Sequence, residues 1–159
     1  MRSSYLITLM LFLALATGCQ KEEDPPPDPT KEELLLDKSW SASEITFVSD
    51  NALRYYKRGG SSNTWDFTYD VISFKTGGTG TYQNLQNSVF NITWQFIDAA
   101  KTRIRFTIYD YDKGIRKPGT NLVVNWENLV IAATSISYSE IYTNSDNKSI
   151  ISAGNRATL

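Results

Sequence analysis

The chain of 159 residues contains no histidine. It therefore lacks the commonest general base and the commonest metal ligand of proteins. Its one cysteine is Cys19, so no intramolecular disulfide can form and a folded domain must depend on its core. Prolines number five. Pro25, Pro26, Pro27 and Pro29 share one short stretch, which leaves only Pro118 elsewhere. No apolar run reaches the ~20 residues that a membrane-spanning helix needs. An excess of one charge is also missing: 16 Lys and Arg face 17 Asp and Glu, a formal net charge of −1. Nucleic-acid binding wants a basic face, and none is present, so no nucleic-acid partner is expected. No Gly-rich phosphate loop precedes a helix. Gly77-Gly78-Thr79-Gly80 lies between two strand-like segments, where glycines supply the positive φ of a turn. No cofactor is expected.

What is present begins with Arg2 and an apolar run of about ten residues from Leu6 to Leu15, followed by the small residues Ala16-Thr17-Gly18. This is the three-part design of a secretory signal peptide. A core helix would carry polar residues on one face, and this run has only Thr8. Ala16-Thr17-Gly18-Cys19 resembles the lipobox of bacterial lipoproteins, with Ala16 where Leu is usual and Leu15 one step earlier. The resemblance implies cleavage after Gly18, a diacylglycerol thioether on the Cys19 sulfur and an acylated amine, so that covalent lipid at Cys19 ties the chain to the membrane. Several acyl chains hold firmly where one holds marginally, at ~0.8 kcal/mol per buried methylene.

Gln20, Lys21, Glu22, Glu23 and Asp24 then lead into the proline cluster. Pro-rich segments are extended, so residues 20–30 would hold a domain ~30 Å from the membrane. The acidic cluster after Cys19 resembles the surface-export signal of Bacteroidota lipoproteins. The expected address is the outer membrane, lipid-anchored and facing the cell exterior, with the periplasmic face as the alternative. Three units follow: a signal peptide over 1–18, a lipidated cysteine with an acidic Pro-rich tether over 19–30, and a β domain over 31–159. Loss of Arg2 with the leader leaves 15 bases against 17 acids, and no large field results.

The domain opens with one helical signal. Thr30 and Glu33 have the spacing of a capping box, and Leu34-Leu35-Leu36 follow before Asp37-Lys38. Everything else alternates with the two-residue period of half-buried strands. Segments 40–48, 71–75, 79–85, 89–97, 103–109, 121–131, 135–143 and 149–159 predict eight strands joined mostly by short turns. Trp40, Phe90, Trp94, Phe96 and Phe106 fall in phase for the interior. Neighbouring strands with tight turns favour an antiparallel meander, and closing it removes vulnerable edges. An eight-stranded barrel is filled by side chains or holds one small ligand. A two-sheet β-sandwich fits the same strands and stands as the alternative.

Leu34-Leu35-Leu36-Asp37-Lys38-Ser39-Trp40, the hairpin from Ile72 to Tyr82, Trp94-Gln95-Phe96 with Asp98, and Glu127–Ile131 running to Ile136-Ser137-Tyr138 together resemble the lipocalin-like domains of Bacteroidota surface lipoproteins. Lys38 stands where that family has Gly. The likeness spans about Leu34 to Tyr142 and implies an up-and-down barrel; it supplies no catalytic residues.

Glycosidases need two facing carboxylates. The candidate pairs are Asp66 with Asp70, Asp110 with Asp112, and Glu127 with Glu140. The first two sit at strand ends or loops, and the third has bases available as partners. Asp110-Tyr111-Asp112 before Gly114 lacks the further oxygen ligands and closing Glu of a calcium loop. The chain is therefore read as not an enzyme, without catalytic or metal-binding residues. Tyr55, Tyr56 and Trp65 are placed in a long loop from Ser49 to Thr64 and at its edge, beside Arg54, Lys57 and Arg58. They form a candidate binding loop. The expected function is binding of a small apolar or amphipathic ligand, or alternatively a protein- or glycan-interaction module using the Tyr55–Trp65 loop.

Overall fold

A computed structural model describes residues 26–49, 51–143 and 149–159, and the side chains of all of these except 141–143 and 149–151. The leader, Cys19, the first part of the tether, Asp50 and residues 144–148 lie outside the described residues.

Helix α1 (Lys31–Leu35) starts as the sequence predicts. Thr30 Oγ1 accepts from the Glu33 amide at 3.2 Å, and the Glu33 carboxylate accepts from the Thr30 amide at 2.7 Å. The strands are β1 (Lys38–Ser49), β2 (Ala52–Lys57), β3 (Val71–Lys75), β4 (Thr79–Gln83), β5 (Val89–Phe96), β6 (Ile104–Ile108), β7 (Tyr111–Asp112), β8 (Ile115–Arg116), β9 (Leu122–Ile131), β10 (Ser135–Thr143) and β11 (Ser149–Thr158).

Strands β1, β3, β4, β5, β6, β9, β10 and β11 pair in that order, all antiparallel, and β11 returns to pair with β1. The sheet is a closed eight-stranded up-and-down barrel, and the sandwich alternative is set aside. Three strands are additions to the ring. A two-stranded ribbon of β7 and β8 projects from the β6–β9 connection. Strand β2 occupies the segment expected to be loop, and it pairs with the second half of β1 from Glu44 to Ser49. The first half of β1, Lys38 to Ser41, pairs on that same side with β3.

An irregularity between Ala42 and Glu44 separates the two halves of β1. The extra residue moves the inward set from Trp40 and Ala42 to Ile45 and Phe47, as a bulge must. Arg58 fastens the bend, its amide to the Ser43 carbonyl at 2.8 Å and its Nε to the Ala42 carbonyl at 3.0 Å. A second irregularity faces Tyr138 in β9, where Asn128 takes a φ of 53°. Asn tolerates that conformation. The inward set of β9 accordingly changes from Val124 and Trp126 to Leu129 and Ile131.

Side chains fill one end of the barrel. Leu35, Trp40, Phe74, Ile104, Leu129 and Ile136 are buried there. Helix α1 closes that end, held by Lys101 to Glu32 at 2.7 Å and by Lys31 Nζ to the Ala100 carbonyl at 2.8 Å. Gly80 lies opposite both Phe74 and Ile92 in register. A Cβ there would collide with the Ser73 carbonyl oxygen and press on the Ile92 side chain. Gly80→Ala is expected to lower stability by about 1–3 kcal/mol, seen as a lower urea midpoint. An unchanged midpoint would show that β3 and β4 part there without cost.

Candidate functional site

The other end of the barrel is hollow. A cavity of about 430 Å³ runs from the mouth down to Trp126, Tyr138 and Arg156. Its walls are apolar: Ile45, Ile72, Phe106, Ile108, Leu122 and Val124. At the rim, Phe47 meets Trp65 edge-on at 5.8 Å and Phe67 at 5.7 Å.

The floor is polar, and alternation along three strands explains why. In β10, Ile136, Tyr138 and Glu140 share the inward face; in β11, Gly154 and Arg156 share it; in β4, Gly80 and Tyr82 do. Gly154 lies opposite Tyr138 in register, and a Cβ at Gly154 would enter the space of the Tyr138 ring. The missing side chain lets that ring lie flat on Trp126, with centroids 3.9 Å apart and planes 19° from parallel.

Arg156 is buried and fully engaged. Its Nε donates to the Tyr138 hydroxyl at 3.2 Å and its Nη1 to the Trp40 carbonyl at 3.2 Å. Nη2 lies 2.5 Å from Asp70 Oδ1. That last contact is a charge pair off the hydrogen-bond axis, since Oδ1 makes no aligned bond. The guanidinium also lies 5.2 Å from the Trp126 ring and 5.7 Å from the Tyr138 ring. Asp70 Oδ2 accepts from the Tyr82 hydroxyl at 2.9 Å. Burial alone would lower the Arg156 pKa; the Asp70 carboxylate and the two tyrosines override it and hold it above the ordinary value. Burial, with the Asp70 charge adding to it, pushes the Tyr82 hydroxyl well up. Tyr138 is pushed up by burial against the opposing pull of Arg156.

Glu140 differs. Its Oε2 accepts from Trp126 Nε1 at 2.7 Å, and its carboxyl has no other hydrogen bond among the described residues. It is half-buried and lines the cavity. Burial raises its pKa; the Trp126 N–H and the Arg156 charge pull the other way, and Asp70 adds to the rise. The floor thus holds two acids and one base. Lys113, the other cation lining the cavity, is solvent-exposed in the β7–β8 turn at the mouth.

Among protein-family models, curated proteins and solved structures, nothing matches this chain. The geometry of the barrel is therefore the ground for any functional reading.

The structure separates the three aromatic residues of the expected loop. Tyr55 and Tyr56 lie on β2, a strand in which Tyr56 is the buried residue. Tyr56 packs on Phe67 at 5.6 Å in a satellite core with Ala42 and Ile45. Tyr55 points the other way, and its hydroxyl donates to Glu44 at 2.8 Å, which raises the hydroxyl pKa. Trp65, 40 % exposed, lines the cavity mouth beneath Arg54.

The candidate carboxylate pairs, discounted from the sequence, find other partners. Asp66 bonds Thr68, Asp110 bonds the Gly119 amide, and Asp112 pairs with Lys117. Glu127 pairs with Arg103 outside the barrel, while Glu140 faces inward. Asp70 and Glu140, from different pairs, are the two that share one cavity. Among the described residues, no group of three or more His, Cys, Asp or Glu could hold a metal ion. Arg156, Tyr82 and Tyr138 escape the sequence reading. Their signal is phase: Ile136-x-Tyr138-x-Glu140 puts an acid on an inward face, and a buried acid asks for a base.

Proposed function

We propose that this chain is an outer-membrane lipoprotein of the lipocalin-like kind, anchored through Cys19, whose barrel binds a small amphipathic ligand without chemically altering it. The half-hollow interior carries the reading. A cavity of about 430 Å³ lies within the usual range of small-molecule sites, about 300–1,000 Å³, and has their usual composition, apolar walls with few polar groups. Asp70, the acid nearest Arg156, is engaged by that residue and by Tyr82, which disfavours its use in proton transfer. Residues 26–30 approach the filled end through α1, so the mouth opens away from whatever holds the N-terminus.

A neutral environment-sensitive dye, N-phenylnaphthylamine, tests the cup. It is expected to brighten on titration and to saturate at one dye per chain. Val124→Trp, which fills the cavity wall, is expected to weaken it by at least about tenfold with the circular dichroism spectrum unchanged; Ile108→Phe is a milder filler if that variant misfolds. Absence of saturable binding, or equal binding by a folded filled variant, would overturn the reading.

A further inference from the structure

We propose, resting on that ligand-cup reading, that the occupant carries a basic nitrogen, and that its ammonium group ion-pairs with the Glu140 carboxylate on the cavity floor. Three observations lead there. Arg156 is spent: all of its nitrogens meet protein groups, and Asp70 sits 2.5 Å from Nη2. An anionic ligand would thus find Arg156, the one buried cation lining the cavity among the described residues, already neutralised, with two carboxylates close by. Glu140 is the reverse case, a cavity-lining acid bonded only to the Trp126 N–H among the described residues. Glu140 is half-buried and has no ion-pair partner within contact distance among the described residues, so part of its desolvation cost stands, and a ligand ammonium offsets it. The walls agree as well. Trp126 and Tyr138 are occupied by each other and by Arg156, but Phe106 lines the same space, and an aromatic ring attracts a cation. The burial that raises the Glu140 pKa is the condition that an arriving positive charge relieves.

Lys113 does not cancel this preference. It stands in water at the rim, where solvent and salt screen its charge.

Three indole compounds that differ in the terminal group separate the outcomes: tryptamine, tryptophol and indolepropionate, each titrated calorimetrically into the intact domain. Tryptamine is expected to bind at least about tenfold more tightly than tryptophol, because its ammonium adds an ion pair to the hydrogen bond that a hydroxyl could also give Glu140. Indolepropionate is expected to bind weakest. Glu140→Gln keeps an oxygen for the Trp126 N–H, so the fold is retained. It is expected to erase most of the tryptamine advantage while weakening tryptophol much less. If tryptophol binds and tryptamine gains nothing, or if Glu140→Gln weakens both equally, the ammonium inference is overturned and the cup stands. Tightest binding by indolepropionate overturns it too, and assigns the polar contact to Arg156. If none of the three binds, the inference falls, and the N-phenylnaphthylamine titration decides whether the cup falls with it.

Discussion

Asp70→Ala is expected to destabilise the domain by about 3–5 kcal/mol, the cost of leaving a buried partner charge uncompensated. Arg156 cannot swing out to water. It is 4 % exposed, tied to the Trp40 carbonyl and the Tyr138 hydroxyl, and flanked by the Trp126 and Tyr138 rings. The same change strands the Tyr82 hydroxyl, which donates to Asp70. Urea unfolding measures the loss. The double variant Asp70→Ala/Arg156→Met is expected to recover most of it, because an apolar replacement of a buried pair is often neutral or favourable. A single-variant loss under about 1 kcal/mol would mean that Arg156 is hydrated through the cavity. The ion pair would then behave as a surface one.

Trp40→Ala is expected to cost about 3–5 kcal/mol, the range for deleting a buried aromatic. The ring is fully buried, and its Nε1 donates to the Leu35 carbonyl at 2.9 Å. Trp40 pairs with Thr158 on one side and Ile72 on the other, so the substitution hollows the seam where the barrel closes. Trp40→Phe keeps most of the packing and loses the donor, and a cost of about 1–2 kcal/mol is expected. Thermal unfolding ranks the two. Equal losses would mean that the hydrogen bond to helix α1, rather than the buried ring, carries the stability.

Much of the barrel was legible because β5 and β6 are simple. Phe90, Ile92 and Trp94, then Ile104, Phe106 and Ile108, recur every second residue without a break. The Thr30–Glu33 cap was legible for a similar reason, since it is local chemistry at a fixed spacing. Strand β2 was not. Ala52–Lys57 buries one side chain, carries two bases, and borders a strand that has already changed phase at its bulge. Segment 121–131 was legible as the strand β9, but Asn128 hides which of its last side chains face inward, because one extra residue shifts them to the opposite face. The choice of barrel over sandwich rests on the pairing of β1 with β11, and no local pattern records a contact between the two ends of a chain. The polar floor suffers doubly. Asp70 precedes β3 and Arg156 lies near the C-terminus, so each alone reads as a hydrated charge.

That closing pair also governs how the domain comes into being. Trp40 to Phe47 waits for Ser152 to Thr158 as its neighbour, so the first strand to emerge is completed by the last. Contacts so distant along the chain close late and slow the search for the native state. Every intermediate before that moment exposes two raw strand edges, of the sort that invites association between chains. A chain that stopped before β11 would lose the Arg156 that neutralises Asp70 as well as the strand that shuts the ring. Strand β11 acts as the latch of the barrel.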